Sequence, residues 1–315
     1  MTRYIFAAKS TKDVWHKGKN GNIYQLDSIV NQLSIECALT NAGFQIEYLE
    51  SIGREKEAEE IISLVHDNNY LDIFKQDSEE PKYLSNGLML QKSLYALALE
   101  HALIAKDAVT AALQSNLSLA TIGGGHHCGF DKPFGFGLVN TMAISAVQAS
   151  IISGKVAVLD LDTHYSNGCN EILRHKKDIL MCSLWNQRIP AWEYFEKQDN
   201  LIHEEVKDVS DYFNKLNTLL DKIKSFKPTL MIYHLGFDVL ETDRMGGIPG
   251  MNEKMLLKRE LIIKEFLDTQ KIPCLIYRGG GYINHTDSPK MISKRKESLL
   301  KTQISAFGQY IKKSM

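Results

Sequence analysis

Short runs of β-branched and other apolar residues alternate with longer stretches of helical periodicity, and this alternation restricts the fold more than any other feature. The strand-like runs are Tyr4–Ala7, Gln45–Leu49, Leu119–Ile122, Lys155–Leu161, Ile179–Leu184, Thr229–His234 and Pro273–Arg278. Between them lie Leu26–Ala42, Glu55–Val65, Gly87–Ser115, Thr141–Ser153, Asp208–Ser225 and Glu253–Thr269. In Gly87–Ser115, Leu90, Leu94, Leu97 and His101 return at three- and four-residue spacing, as one buried helical face requires. The expected fold class is α/β: one domain over residues 1–315, with a central, mostly parallel β-sheet covered by helices on both faces. No repeat, linker or Pro/Ser-rich boundary divides it.

Composition narrows the function class. The 315 residues are 44% hydrophobic and 24% charged, which fits a soluble globular protein and excludes collagenous and disordered chains. Lys+Arg of 37 against Asp+Glu of 38 leaves a net charge of -1, so direct nucleic-acid binding, which rests on a basic excess, is not expected. The five cysteines (Cys37, Cys128, Cys169, Cys182 and Cys274) form no CxxC and no zinc-finger spacing, which suits a reduced compartment. The opening residues read as a strand rather than a signal peptide, and the longest apolar-rich stretch, Leu94–Ala105, is broken by Glu100 and His101. The expectation is a cytoplasmic protein with no membrane segment. The final segment, Thr286–Met315, carries Lys290, Lys294, Arg295, Lys296, Lys301, Lys312 and Lys313 against Asp287 and Glu297, and reads as a terminal helix with a solvated basic face.

In open α/β sheets, ligands gather beyond the carboxyl ends of the strands. Lys155–Leu161 runs into Asp160-Leu161-Asp162-Thr163-His164, where alternation lets Asp160, Asp162 and His164 project the same way. Such a group is costly to desolvate without a cation, and Asp oxygen with His nitrogen suits zinc or another divalent first-row metal. Thr229–His234 runs into Leu235-Gly236-Phe237-Asp238, whose acid would complete three protein ligands: Asp162, His164 and Asp238. Leu119–Ile122 runs into Gly123-Gly124-Gly125-His126-His127; the histidines suit proton transfer, with Asp160 and Asn167 as candidates to orient them. A Gly-rich loop before a helix also suits a phosphate cradle. Pro273–Arg278 runs into Gly279-Gly280-Gly281-Tyr282, where a tyrosine hydroxyl can meet a developing oxyanion.

At these clusters the sequence resembles the histone deacetylase superfamily, which includes acetylpolyamine amidohydrolases and shares the arginase-type fold. The resemblance runs in order from about Tyr4 to about Asn284. It rests on the double histidine His126-His127, Gly135-Phe136, Asp160-Leu-Asp162-x-His164-x-x-Asn167-Gly168, Ser183-Leu184, Gly236-Phe237-Asp238 and Gly280-Gly281-Tyr282, with Val65-His66-Asp67-x-x-Tyr70 upstream. It implies zinc on Asp162, His164 and Asp238. It also implies a catalytic pair of His126 backed by Asp160 and His127 backed by Asn167, with Tyr282 as the electrophilic hydroxyl. Substrate would be held by Gly125, Phe136, Trp192, Gly280 and Gly281, with Phe136 and Trp192 as tunnel walls. A K+ ion beside the zinc, on backbone oxygens near Asp160, Asp162, His164, Ser183 and Leu184, is a further implication. The implied substrate is acetyl-lysine in a protein or peptide, or a small acetylated amine, with an oligomer or larger complex compatible.

Several positions depart from the family pattern. Tyr165 and Ser166 follow the metal-site histidine in place of His-Gly, and the region around His16 lacks the usual Pro- and Arg-containing pattern. Arg244 follows Asp243 in place of Pro, and Arg278 precedes the glycine turn where an acid or glycine is common. Asp77, Glu79 and Glu80 are the nearby candidates for an acidic rim residue. Three other readings remain beside the protein deacylase. They are a polyamine-directed amidohydrolase, a binuclear-metal ureohydrolase disfavoured by a single Asp/His set, and a non-catalytic acyl-lysine binder disfavoured by Tyr282 and the complete histidine pair.

Overall fold

The computed structural model describes residues 4–13, 16–17, 23–24, 27–75, 84, 90, 93–191, 193–282 and 288–311. The amino-terminal part runs β1 (Tyr4–Ala8), a 3-10 turn, the short antiparallel pair β2 (His16–Lys17) and β3 (Ile23–Tyr24), α1 (Asp27–Asn41), β4 (Glu47–Leu49), α2 (Glu55–Ile62) and α3 (Asp72–Lys75). Next come α4 (Ser93–Ser115), β5 (Leu117–Gly123), α5 (Thr141–Ser153), β6 (Val156–Asp160), α6 (Asn167–Leu173) and β7 (Ile179–Asn186). The chain continues through β8 (Leu201–Val206), α7 (Val209–Phe226), β9 (Leu230–Leu235), α8 (Glu253–Gln270), β10 (Cys274–Arg278) and α9 (Pro289–Ile311).

Eight strands form one parallel sheet in the order β4-β1-β5-β10-β9-β6-β7-β8. The expected single α/β domain is the one observed. Its central strands are buried and mostly apolar because helices cover both faces. On β6, Val156 and Val158 belong to the core cluster that includes residues of α2, α4, α5 and α6, while Ala157 and Leu159 belong to the one that includes residues of α1, α7, α8 and α9. On β9 the same alternation sends Leu230 and Ile232 one way and Met231 and Tyr233 the other. Helix ends are defined by local chemistry: the Asp208 side chain accepts from the amides of Ser210 and Asp211 to start α7, and Asn252 accepts from Met255 to start α8.

Strand and helix positions agree with the alternation read from the sequence, within a few residues at their ends. The 3-10 turn and the short elements β2, β3 and α3 went unread, and so did two longer ones. Strand β8 lies at the sheet edge and mixes His203, Glu204 and Glu205 with buried Leu201 and Val206, so its apolar run is short. Helix α6 is only seven residues long and polar, NGCNEIL, yet it opens on Asn167. The helix expected over Gly87–Ser115 is described from Ser93. Helix α9 has the expected form: Lys290, Lys294 and Lys301 are exposed, while Leu299, Ala306, Phe307 and Tyr310 are buried in the core. No helix among the described residues is long and apolar enough to cross a membrane.

His66 and Tyr70 lie in the turns after α2 rather than on a helix, and they pin the long loop between β5 and α5. His66 Nδ1 donates to the Gly129 carbonyl at 2.9 Å, its Nε2 accepts from the Asn140 amide at 3.0 Å, and Tyr70 donates to the Leu138 carbonyl at 2.8 Å. These partners require a neutral imidazole, and burial pushes the His66 pKa down to about 4. The unfolded chain therefore binds the proton more readily than the folded one. Stability is complete above about pH 6.5 and declines as pH falls towards 4, by roughly 3 kcal/mol for this residue. Urea unfolding of the metal-free protein at pH 7 and pH 4.5 is expected to show the decline. A His66→Phe variant should lose part of that pH dependence; an identical slope in variant and wild type would contradict the assignment.

Candidate active site

The four unusual strand ends read from the sequence belong to four adjacent strands at the centre of the sheet, β5, β10, β9 and β6. Parallel pairing brings their carboxyl ends to one edge, so chain segments far apart in sequence converge there. Strand β6 stops at Asp160, however, and simple alternation does not continue to His164. The Asp162 amide donates to Asp160 Oδ1 at 3.0 Å, turning the chain so that Asp160 and Asp162 enter different groups.

Asp162, His164 and Asp238 form the first group, with one ligand atom from each lying within 4.8 Å of the others. Their remaining bonds hold them in place. Asp162 Oδ1 accepts the His164 amide at 3.0 Å, Asp162 Oδ2 accepts the Gly280 amide at 2.9 Å, and Asp238 Oδ1 accepts the Thr163 amide at 3.0 Å. Burial pushes the Asp238 carboxyl well above its ordinary range, and the nearby Asp162 adds to this. Burial opposes a charge on His164 too, but its bonds to Asp162 and Asp238, at 2.9 and 3.0 Å, outweigh burial and hold its pKa at about 11. Two buried carboxylates demand a positive charge here, and the donor set of two Asp oxygens and one His nitrogen suits a divalent cation. The residues present fit such an ion.

Gly280 closes this group from the side. A Cβ there would lie 2.5 Å from Asp238 Oδ2 and 2.8 Å from Asp162 Oδ2, so any side chain displaces the carboxylates. Gly280→Ala is expected to weaken divalent-metal affinity by about tenfold or more, measured by competition against a chelator. Unaltered affinity would place metal binding elsewhere.

The two histidines lie side by side, ring centroids 3.9 Å apart. His126 Nδ1 donates to Asp160 Oδ2 at 2.7 Å, and His127 Nδ1 donates to Asn167 Oδ1 at 2.7 Å. The partners proposed for them in sequence are the partners observed. The difference between carboxylate and amide matters: Asp160 presents a countercharge to His126, whereas Asn167 offers His127 none. Burial, reinforced by His126 and His164, pushes the His127 pKa well below its ordinary value. His127 thus favours the neutral tautomer with Nδ1–H, whose proton-accepting nitrogen is Nε2.

Sequence reasoning missed His234. It is paired in register with Asp160 on the neighbouring strand, donates from Nδ1 to Asp160 Oδ1 at 2.8 Å, and stands 5.0 Å from the His126 ring. His126, Asp160 and His234 make a second group of potential ligands, so among the described residues there are two such groups where one was expected. The second group is already satisfied as a hydrogen-bonded chain, with each Asp160 oxygen engaged by a ring nitrogen. Burial would raise the Asp160 carboxyl, but the His126 and His234 rings outweigh it and hold the pKa below the ordinary range. The available signal was strand phase: His234 is two residues before Gly236 and four before Asp238, at the end of a central strand.

Tyr282 follows β10, and its backbone amide donates to Asp243 Oδ2 at 2.6 Å. Burial, then Asp162 and Asp238, raise the phenol well above its ordinary pKa, so the hydroxyl remains a donor. Phe136 stands with its ring centroid 6.2 Å from that of Tyr282. Its neighbour Gly135 has φ 60, and a Cβ there would come within 2.3 Å of the His127 ring. Gly125, Phe136, Gly280 and Tyr282 line one cavity with His126 and Asp162. Gly281 lies beside it, where a Cβ would sit 3.1 Å from Phe237. Trp192, expected as the opposite wall, and the rim candidates Asp77, Glu79 and Glu80 lie outside the described residues.

Beneath the carboxyl edge, the fully buried Arg259 braces both metal-group loops. Its Nη2 donates to the Gly236 carbonyl at 2.8 Å, and its Nη1 reaches the Leu161 carbonyl at 3.5 Å and the Tyr212 hydroxyl at 3.3 Å. Glu260 pairs with Arg259 and accepts from Tyr233 at 3.0 Å and Tyr310 at 2.8 Å.

Fold and site together define a deacetylase-type α/β protein built around a buried Asp/His group that can hold a metal. Solved structures agree on the fold. The acetylpolyamine aminohydrolase from Burkholderia pseudomallei aligns over 98% of each chain with a TM-score of 0.76 at 20% identity, and the HDA15 HD domain over 96% of this chain and 89% of that one with a TM-score of 0.75 at 17% identity. The chain belongs to the histone deacetylase family: the histone deacetylase domain matches residues 22–294. Among curated relatives, Histone deacetylase 2 of Arabidopsis thaliana is 26% identical over 254 residues, covering 75% of this chain and 64% of that protein. Acetylpolyamine amidohydrolase of Burkholderia pseudomallei (strain 1710b) is 26% identical over 171 residues, covering 50% of this chain and 49% of that protein.

Proposed function

We propose that the chain is a zinc-dependent amidohydrolase that removes an acetyl or other acyl group from the ε-amine of lysine in a protein or peptide. The observation that carries this reading is the gathering of the Asp162/His164/Asp238 group and the two backed histidines at one edge of the sheet, beside a cavity that His126, Asp162 and Tyr282 line. Asp162, His164 and Asp238 hold the ion, which when bound polarises the amide carbonyl and acidifies water beside it.

The chain's own residues do the rest. Neutral His127 takes the proton of the attacking water at Nε2, and Asn167 keeps the ring in that tautomer. His126, with Asp160 to stabilise an imidazolium, joins His127 in returning a proton to the leaving amine. The protonated Tyr282 hydroxyl donates to the carbonyl oxygen as negative charge develops on it. Phe136 forms one wall of the entrance and excludes water from the acyl-lysine stem. A K+ ion near Asp160 and Ser183 is compatible with the buried Ser183 hydroxyl, which has no hydrogen-bond partner among the described residues.

A small acetylated amine is the second substrate reading, supported by the likeness to acetylpolyamine amidohydrolase. The test is acetate release by zinc-loaded protein from a mixed pool of acetyl-lysine peptides and acetylpolyamines, with a chelator control. Chelator-sensitive consumption of the peptides supports the first reading, and consumption of the polyamines alone supports the second. No release despite stoichiometric zinc would defeat the acetyl form of both readings.

A further inference from the structure

The cavity does not end at the catalytic residues. Leu94, Leu97 and His101 of α4 also line it, together with Thr11, Gln32 and Arg278. Arg278 is the last residue of β10 and is only 4% exposed. Its Nε donates to the Thr121 carbonyl at 3.0 Å and its Nη1 approaches the Gly279 carbonyl at 3.4 Å. Among the described residues no carboxylate forms an ion pair with it.

The carboxylate whose field reaches Arg278 is Glu36, and Glu36 Oε1 is already engaged by Thr121 Oγ1 at 2.7 Å and Gln32 Nε2 at 2.9 Å. Burial lowers the Arg278 pKa only to about 10, so the guanidinium remains charged at neutral pH. Burial pushes His101 down to about 4, so that ring adds no charge. A buried guanidinium without a paired anion carries a desolvation cost that a carboxylate ligand would offset, and the planar fork of Arg suits carboxylate oxygens.

Position identifies what would bring that carboxylate. Phe136 and Tyr282 stand on loops beyond the strand ends, whereas Arg278 stands at a strand end, deeper in the same cavity. An acyl-lysine that enters past Phe136 and presents its carbonyl to Tyr282 directs its acyl chain inward. We propose that the inner chamber, with Arg278 at its floor and Leu94 and Leu97 along its wall, accepts acyl chains that end in a carboxylate, such as succinyl or glutaryl groups. The inference deepens the proposed function and rests on it. Hydrolysis consumes one water: the amide C–N bond breaks, lysine leaves as the amine, and the acyl group leaves as a dicarboxylate.

The test compares kcat/KM for Nε-succinyl-lysine and Nε-butyryl-lysine on one peptide, because the two acyl chains differ chiefly in their terminal charge. The zinc-loaded wild type is expected to favour succinyl by about tenfold or more. The preference should collapse in Arg278→Met and survive in large part in Arg278→Lys, and as a ratio within each variant it is insensitive to lost active fraction. Preference for butyryl, or a ratio unchanged in Arg278→Met, would overturn the inference. Acetate inhibition that depends on Arg278, combined with equal succinyl and butyryl rates, would assign the guanidinium to the released product and overturn it also. Calorimetric binding of the two peptides to Tyr282→Phe protein is the second readout. If no acyl peptide is hydrolysed, the proposed function fails, and this comparison still decides the chamber: tighter succinyl binding that is lost on adding Arg278→Met supports it, and equal or absent binding overturns it.

Discussion

Replacing Tyr282 with phenylalanine is expected to lower turnover of an acetyl-lysine peptide by about two to three orders of magnitude, corresponding to the loss of one donor to a developing oxyanion. The fold should be unaffected because the position of residue 282 is set by its backbone, whose amide is held by Asp243. The hydroxyl itself is maintained in its donor form by burial beside Asp162 and Asp238. Zinc content should equal that of the wild type, since Asp162, His164 and Asp238 are untouched. The loss should fall on kcat rather than KM, because the donor matters most once charge has developed on the oxygen. Single-turnover kinetics with metal analysis on the same sample makes the comparison. Turnover within a few-fold of wild type would remove the tyrosine from the chemistry while leaving its role in shaping the cavity.

Much of this site was legible because strand ends are punctuated by residues that core packing does not call for. Asp162, His164, Asp238, the histidine pair and Tyr282 each follow an apolar strand, and parallel topology brings such ends together. The assignment of Asp160 to His126 and Asn167 to His127 also matches the observed bonds. Other features were hidden for physical reasons. His234 is counted within its strand rather than after it, so strand phase puts it near the site while its place beside Asp160 depends on register between β6 and β9. Strand β8 carries its charges on an edge, where one side of the ladder and part of one face meet solvent. Arg278 stood out in sequence only as an unfamiliar residue before a glycine turn; its meaning depends on the cavity wall opposite, supplied by a helix far away in the chain.

Arg259 is the clearest case of a residue whose importance lies in three-dimensional context alone. In sequence it is one of several charges on an ordinary helix; in the fold it is fully buried, paired with Glu260 and bonded to the carbonyl of Gly236. Arg259→Leu leaves the Glu260 carboxylate in the core with only the Tyr233 and Tyr310 hydroxyls as donors. Breaking a buried pair in this way costs about 3–5 kcal/mol, so urea unfolding of the variant is expected to show a loss of that size. A second consequence separates this brace from a stability element remote from the site. Gly236 precedes Asp238, and Leu161 precedes Asp162, so freeing their carbonyls loosens both loops that carry carboxylates of the metal group. Metal affinity should therefore fall along with stability, even under conditions where the variant is fully folded. Arg259→Leu combined with Glu260→Leu removes the unpaired charge and should recover part of the stability, but it cannot restore the bond to Gly236. Recovered stability without recovered metal affinity is the expected pattern. Unchanged affinity in both variants would show that the loops hold their geometry without the brace.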